Sequence, residues 1–280
     1  MGTEDADAVA PGTCPTANSM PMLGLGTWQN DDPDQCAETV RTALEMGYRH
    51  IDTAQMYDNE AAVGEGIERA DVDREDVFLA TKIKPANLGH DDVLETARES
   101  LDRLGVDSVD LLYVHWPARA YDPEETLSAF SELYDEGLID NVGVSNFLPE
   151  QIEEAIDICD APILANQVEL HPMLQQPDLR AACENYDVEV VAYSPIARGE
   201  VFDQPELRDV AAKHDVSEAR VSLAWLREKG VTAIPKATGE DHLGDNFASL
   251  TLELDREDIN AIDSIDSASR EVDPDFAPWN

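Results

Sequence analysis

A chain of 280 residues can bury one large core or two modest ones, so length alone leaves the domain count to the pattern of elements. Its 60 acidic and 19 basic residues give a formal net charge of -41 and a pI near 4.1. That surface repels nucleic-acid phosphates and anionic membranes, which excludes both as partners, and it repels itself unless salt screens it, which points to a salt-rich, halophilic interior.

The first residues, MGTEDADAVAPGTCPTANS, lack a basic segment and an apolar core, and no later apolar run is long enough for a bilayer. A cytoplasmic protein is therefore expected. Cys14, Cys36, Cys159 and Cys183 are widely spaced without a CxxC pair, so no disulfide framework is expected. Residues 1–18 are small, polar and acidic and predict a flexible tail, leaving 19–280 as one domain.

From there, short apolar runs alternate with longer amphipathic stretches. The first run, Leu23–Thr27, precedes a helix over Asp34–Met46; the second, His50–Thr53, precedes a helix from near Asn59 that carries Ala62, Val63 and Ile67 at helical spacing. Val77–Ile83 is followed by a helix over Asp91–Leu104, and Val109–Trp116 by one containing Leu127, Phe130 and Leu133. That fourth helix has a specified start: Asp122 as N-cap, Pro123 at the first helical position, and Glu124 at the positive end of the dipole. The fifth run leads into GVSNF at Gly143, the sixth is Ile163–Leu170, the seventh Glu189–Ser194 and the eighth Val231–Lys236. Helices over Pro205–His214 and Ser217–Glu228 lengthen the last crossover, and a helix from Asp255 lies outside the eight units. Eight strands with intervening helices predict an α/β fold, a single (β/α)8 TIM barrel, although local periodicity by itself also fits an open doubly wound sheet.

Polar residues recur where these strands end: Asp52, Lys82, His115, Asn146, Gln167, Tyr193 and Lys236. In a barrel those positions share one mouth, where such folds place their active sites. Tyr57, Lys82, Asp52 and His115 together suit carbonyl reduction. Tyrosine can donate a proton, a nearby lysine is expected to lower its pKa, a carboxylate can hold the lysine, and histidine can hydrogen-bond the substrate oxygen or join a proton relay. Singly, each has a structural reading: Asp52 and Lys82 as a buried ion pair, Tyr57 as a cap on apolar surface.

The ordered motifs sharpen this. GYRHIDTAQMYDNEAAVG from Gly47 resembles the first signature of the aldo-keto reductase family, including the Asp52 to Tyr57 spacing. LGLGTW from Leu23, TKI from Thr81, VHWP from Val114, GVSNF, NQVELHP from Asn166, AYSPIARG from Ala192 and IPK from Ile234 resemble it in the same order, across about Met20 to Asn246. The compact lengths are most similar to small microbial members related to 2,5-diketo-gluconate reductases.

The resemblance implies NAD(P)H-dependent reduction of an aldehyde or ketone, with Tyr57 as general acid, Lys82 and Asp52 supporting it and His115 positioning the carbonyl. It implies that Ser145, Asn146 and Gln167 hydrogen-bond the nicotinamide carboxamide and that Tyr193, beside Ser194, stacks on the ring. Trp28, Met56 and Trp116 would line an apolar substrate mouth, with barrel-end packing as the alternative. No catalytic metal is implied, and the family resemblance favours a monomer.

Lys236 could pair with the 2′-phosphate of NADPH. The family pattern then expects a hydroxyl residue and, five residues on, an arginine; here Ala237 and His242 stand there, with Thr238 displaced by one and Asn246 as an adenine contact. NADPH remains favoured over NADH, with dual use as the alternative. Asp140 stands where the family often has a basic or amide residue, and the usual N-terminal hairpin is hard to recognise before Met20. Two rival readings are a metal-dependent barrel hydrolase using His50, Asp52, His115 and His171, and a non-catalytic nicotinamide-binding regulatory barrel.

Overall fold

The computed structural model describes residues 14–280, and residues 1–13 of the expected tail lie outside the described residues. The rest of that segment is not loose. β1 (Thr16–Ala17) pairs antiparallel with β2 (Met20–Pro21) in a hairpin of two-residue strands, too short to leave a periodic apolar signal.

Eight parallel strands follow: β3 (Leu25–Gly26), β4 (His50–Asp52), β5 (Phe78–Ile83), β6 (Leu111–Val114), β7 (Val142–Ser145), β8 (Ile163–Glu169), β9 (Glu189–Tyr193) and β10 (Thr232–Ala233). They are hydrogen-bonded in chain order, each to the next. Parallel bridges Leu23↔Ala233 and Gly26↔Lys236 join the last to the first, with Gly24 N–H donating to the Ala233 carbonyl at 2.9 Å and Gly26 N–H to that of Pro235 at 3.1 Å. The sheet is closed. That settles the barrel against the open sheet.

The helices that return the chain are α1 (Pro33–Met46), α2 (Glu60–Arg69), α3 (His90–Leu104), α4 (Pro123–Asp135), α5 (Pro149–Ile158) and α6 (Pro177–Asn185). The last crossover uses α7 (Pro205–His214) and α8 (Glu218–Glu228), and α9 (Glu240–Ala248) and α10 (Arg256–Asp263) follow β10. Asp122 caps α4 by accepting from Glu125 N–H at 3.1 Å, and Asp32 does the same for α1, which therefore starts one residue before the expected Asp34. α7 and α10 stand outside the regular ring and meet through Lys213 and His214, both bonded to the buried Asp258. Among the described residues, no helix is long and apolar enough to cross a membrane.

Strand alternation divides the core in two. Leu79 and Ile83 of β5 and Leu112 and Val114 of β6 face the helices, while Ala80, Leu111 and Tyr113, with Ala165, Val191, Ile234 and Met20, fill the barrel interior. That parity places the site. Continuing it toward the C-terminal ends brings Asp52, Lys82, His115, Gln167 and Tyr193 onto the inner face.

Candidate active site

Asp52 is 1% and Lys82 0% exposed, and the two are directly hydrogen-bonded inside the barrel. A carboxylate removed from water needs its acceptors satisfied. The second Asp52 oxygen accordingly accepts from Gln167 Nε2 at 2.8 Å, and Lys82 Nζ also donates to the Thr53 carbonyl at 2.9 Å. The remaining direction from Nζ leads to the Tyr57 hydroxyl at 3.4 Å. Tyr57 closes a single 3₁₀ turn, Gln55–Tyr57, after β4, and its ring meets that of His115 edge-on at 5.7 Å.

The sequence expectation that Lys82 lowers the Tyr57 pKa is corrected. Burial, reinforced by Asp52, holds the phenol well above its ordinary value of 10. The Lys82–Asp52 pair presents little net positive charge to the phenol, so desolvation decides. Burial likewise draws the Lys82 pKa down, against the opposing pull of Asp52. His115 is pushed well below 6.5 by burial and then by Lys82, which makes it a neutral hydrogen-bonding group rather than a cationic relay. Its buried Nδ1 has no partner among the described residues.

On the neighbouring strands, Ser145 Oγ donates to the Gln167 carbonyl at 2.8 Å and accepts from Asn146 Nδ2 at 3.0 Å. Asn146, at φ 63°, spends its other amide hydrogen on the His115 carbonyl at 3.2 Å. Tyr193, kept protonated by burial and then by Glu169, donates to Asn146 Oδ1 at 2.8 Å. Gln167 keeps one amide hydrogen and Oε1 without a protein partner among the described residues.

A cavity of about 480 Å³ opens above these groups. It is lined by Asp52, Tyr57, His115, Ser145, Asn146, Gln167, Tyr193, Ser194 and Lys236, and by Trp28, Met56 and Trp116. Twelve expected residues therefore share one space. Lys82 lies beneath it, bonded to the lining residues Asp52 and Tyr57. Thr238, His242 and Asn246 are not part of its lining: His242 is exposed in the first turn of α9 beside Glu240 and Asp241, and Asn246 is buried on that helix. Trp28 and Met56 are exposed rim residues, whereas Trp116 is buried against Phe276 and Trp279.

Sequence reading missed Gln29, Arg198, Ile234 and Val272, which also line the cavity. Arg198 lies within the AYSPIARG motif, and its guanidinium stacks on Trp28 at 4.8 Å, a pairing no local spacing announces. Among the described residues, no three His, Cys, Asp or Glu side chains converge on a metal site. His50 is wholly buried with Nδ1 3.2 Å from the Pro21 carbonyl, and His171 Nε2 is engaged by Glu169, so the four proposed metal ligands do not converge.

The profile of the aldo/keto reductase family matches residues 22–267. The chain belongs to that family. Methylglyoxal reductase DkgB of Escherichia coli O157:H7 is 39% identical over 267 residues, covering 94% of this chain and 100% of the relative. Among solved structures, a putative 2,5-diketo-D-gluconic acid reductase B superposes with a TM-score of 0.89 at 36% identity, covering 93% of this chain and 94% of the other. An aldo-keto reductase of Bombyx mori in complex with NADP gives 0.85 at 32%, covering 91% and 92%. This aldo-keto reductase is thus an NAD(P)H-dependent oxidoreductase acting on small carbonyl compounds.

Proposed function

We propose that this reductase converts an aldehyde or ketone to an alcohol with Tyr57 as the proton donor and NADPH as the preferred cofactor. The observation that carries the assignment is the Tyr57 hydroxyl 3.4 Å from a Lys82 ammonium that Asp52 holds, beside His115 at the floor of one cavity. NADPH, when bound, supplies the hydride.

The residues present fit that cofactor. Tyr193 offers a ring anchored at its hydroxyl, and Gln167 retains a donor and an acceptor that complement a carboxamide. Ser145 and Asn146, already bonded to each other and to the barrel, hold this surface rigid and contribute their remaining lone pairs. Lys236 is exposed on the cavity lining without a carboxylate partner among the described residues, which suits a 2′-phosphate. Thr238 precedes α9 and His242 and Asn246 lie on it, continuing that end, although Glu240 and Asp241 beside His242 weaken its appeal to an anion.

In the reaction, neutral His115 hydrogen-bonds the carbonyl oxygen and so orients it. Tyr57, held in its acid form, releases its proton to that oxygen as negative charge develops there. Lys82 Nζ, 3.4 Å away, then donates a hydrogen bond to the resulting phenolate, and Asp52 keeps Lys82 from moving. Trp28, Met56 and Trp116 receive the apolar part of the substrate.

Tyr57→Phe removes the proton and leaves the cofactor surface intact. Turnover of an aldehyde should fall by on the order of 10³-fold while NADPH titrates with unchanged affinity. Preserved turnover in the purified variant defeats the donor assignment, and NADH binding at least about tenfold tighter than NADPH reverses the cofactor preference.

A further inference from the structure

The NQVELHP motif carries two residues that touch neither substrate nor cofactor in the chemistry above, Glu169, which acts on it only by helping burial keep Tyr193 protonated, and His171. Glu169 ends β8, is 0% exposed and does not line the cavity. Among the described residues its one ionisable partner is His171, whose Nε2 lies 3.0 Å from Oε1. A carboxylate so fully removed from water must be saturated by donors. The other two are peptide N–H groups from the far end of the chain: Glu271 donates to Oε1 at 2.6 Å and Val272 to Oε2 at 2.9 Å.

What these bonds hold is a wall of the cavity. Val272 lines it directly, and the strap that continues from Val272 packs Phe276 and Trp279 against Trp116 at 5.5 and 5.6 Å between ring centres. Upstream, Ser269 N–H donates to the Met173 carbonyl at 3.2 Å, so the strap is pinned at its root. Beyond Val272 its polar ties are largely internal, with Asp273 accepting from Trp279 Nε1 and Asn280 Nδ2.

We propose that Glu169 is a positioning residue for substrate selectivity, a buried latch that fixes the C-terminal strap so that Val272 and Trp116, the latter backed by Phe276 and Trp279, face the cavity as one rigid apolar wall. The inference rests on the reading of this cavity as a carbonyl-reduction site. Substrates large enough to lean on that wall depend on the latch, and two- or three-carbon carbonyls do not.

The test compares Glu169→Gln with the unmodified enzyme on methylglyoxal and 4-nitrobenzaldehyde, alongside NADPH titration and hydrogen exchange of residues 271–279. The variant should lose about tenfold in kcat/KM for 4-nitrobenzaldehyde, chiefly through KM, and less than about twofold for methylglyoxal. Cofactor affinity should stay unchanged, and exchange should accelerate in the strap alone. Trp279→Ala should reproduce the selectivity change, and its combination with Glu169→Gln should add little, because both act on one wall. Equal losses on both aldehydes, a parallel loss of cofactor affinity, or unchanged exchange in the strap overturns the proposal. An unmodified enzyme inert toward both aldehydes defeats the carbonyl-reduction reading instead, and strap exchange still judges the latch.

Discussion

At the scale of single residues, the site sets protonation states that suit reduction. Tyr57 is kept as an acid by burial and Asp52, and His115 is kept neutral by burial and Lys82. With the pKa of Tyr57, the proposed donor, held above 10 and that of His115 well below 6.5, neither group changes charge across the neutral range. The kcat for aldehyde reduction should therefore stay flat from about pH 7 to about pH 9 and fall only as Tyr57 loses its proton at higher pH. Alcohol oxidation needs the phenolate and should climb through the same interval. A reduction profile that breaks near pH 8 would mean that bound cofactor and substrate bring the phenol down. Asp52, Lys82 and His115 were legible in the sequence because each stands at a strand end in inward parity, and Tyr57 because the motif fixes its spacing from Asp52, so the motif and the barrel point to the same group. The direction of the Tyr57 shift was not legible. It depends on how completely the neighbouring pair cancels its own charge, which spacing does not reveal.

At the scale of elements, the expected strands overran the ladder. Leu23–Thr27, Val109–Trp116 and Val231–Lys236 contract to Leu25–Gly26, Leu111–Val114 and Thr232–Ala233. Apolar continuity records burial, whereas a strand also requires a partner in register; the flanks make only isolated bridges such as Leu23↔Ala233 and Val109↔Ile139. Helix bounds agreed better because caps and prolines mark them, as at Pro205–His214. Contacts between elements were harder to read, since the approach of Val272 to Glu169 spans 103 residues. One such contact is a close approach of β7 to β6. A Cβ added to Gly143 would lie 2.4 Å from the Tyr113 ring, inside the barrel, where Lys82 Nζ lies 5.8 Å from the centre of that ring. Gly143→Ala should thus destabilise by about 2 kcal/mol, read as a lower urea midpoint at constant m. In a Tyr113→Leu background the same change should cost much less; an equal cost would place the strain elsewhere.

At the scale of the whole molecule, 19 basic side chains cannot neutralise 60 acidic ones. The basic groups are concentrated in specific tasks. Lys213 joins α7 to α10 through Asp255 and Asp258, Arg220 ties α8 to Asp245, and Lys82 serves the site. The surplus carboxylates repel one another over distances that only salt shortens, from a screening length of about 10 Å at 0.1 M to about 3 Å at 1 M. Raising KCl from about 0.1 M to about 2 M should therefore lift the melting temperature by roughly 10 °C, equivalent to about 6 kcal/mol in a chain of this size. The rise should be steepest at the low end and then flatten, because screening saturates once its length falls below the spacing between charges. Above about pH 7.5 the reading is clean: His50 and His115, whose folded pKa values are depressed, are then neutral in the unfolded chain as well, so their contribution to stability is fully present and constant. Sorbitol, which acts without screening, should not reproduce the low-salt rise. A melting temperature indifferent to KCl would show that the surface charges lie far enough apart to be tolerated in dilute buffer.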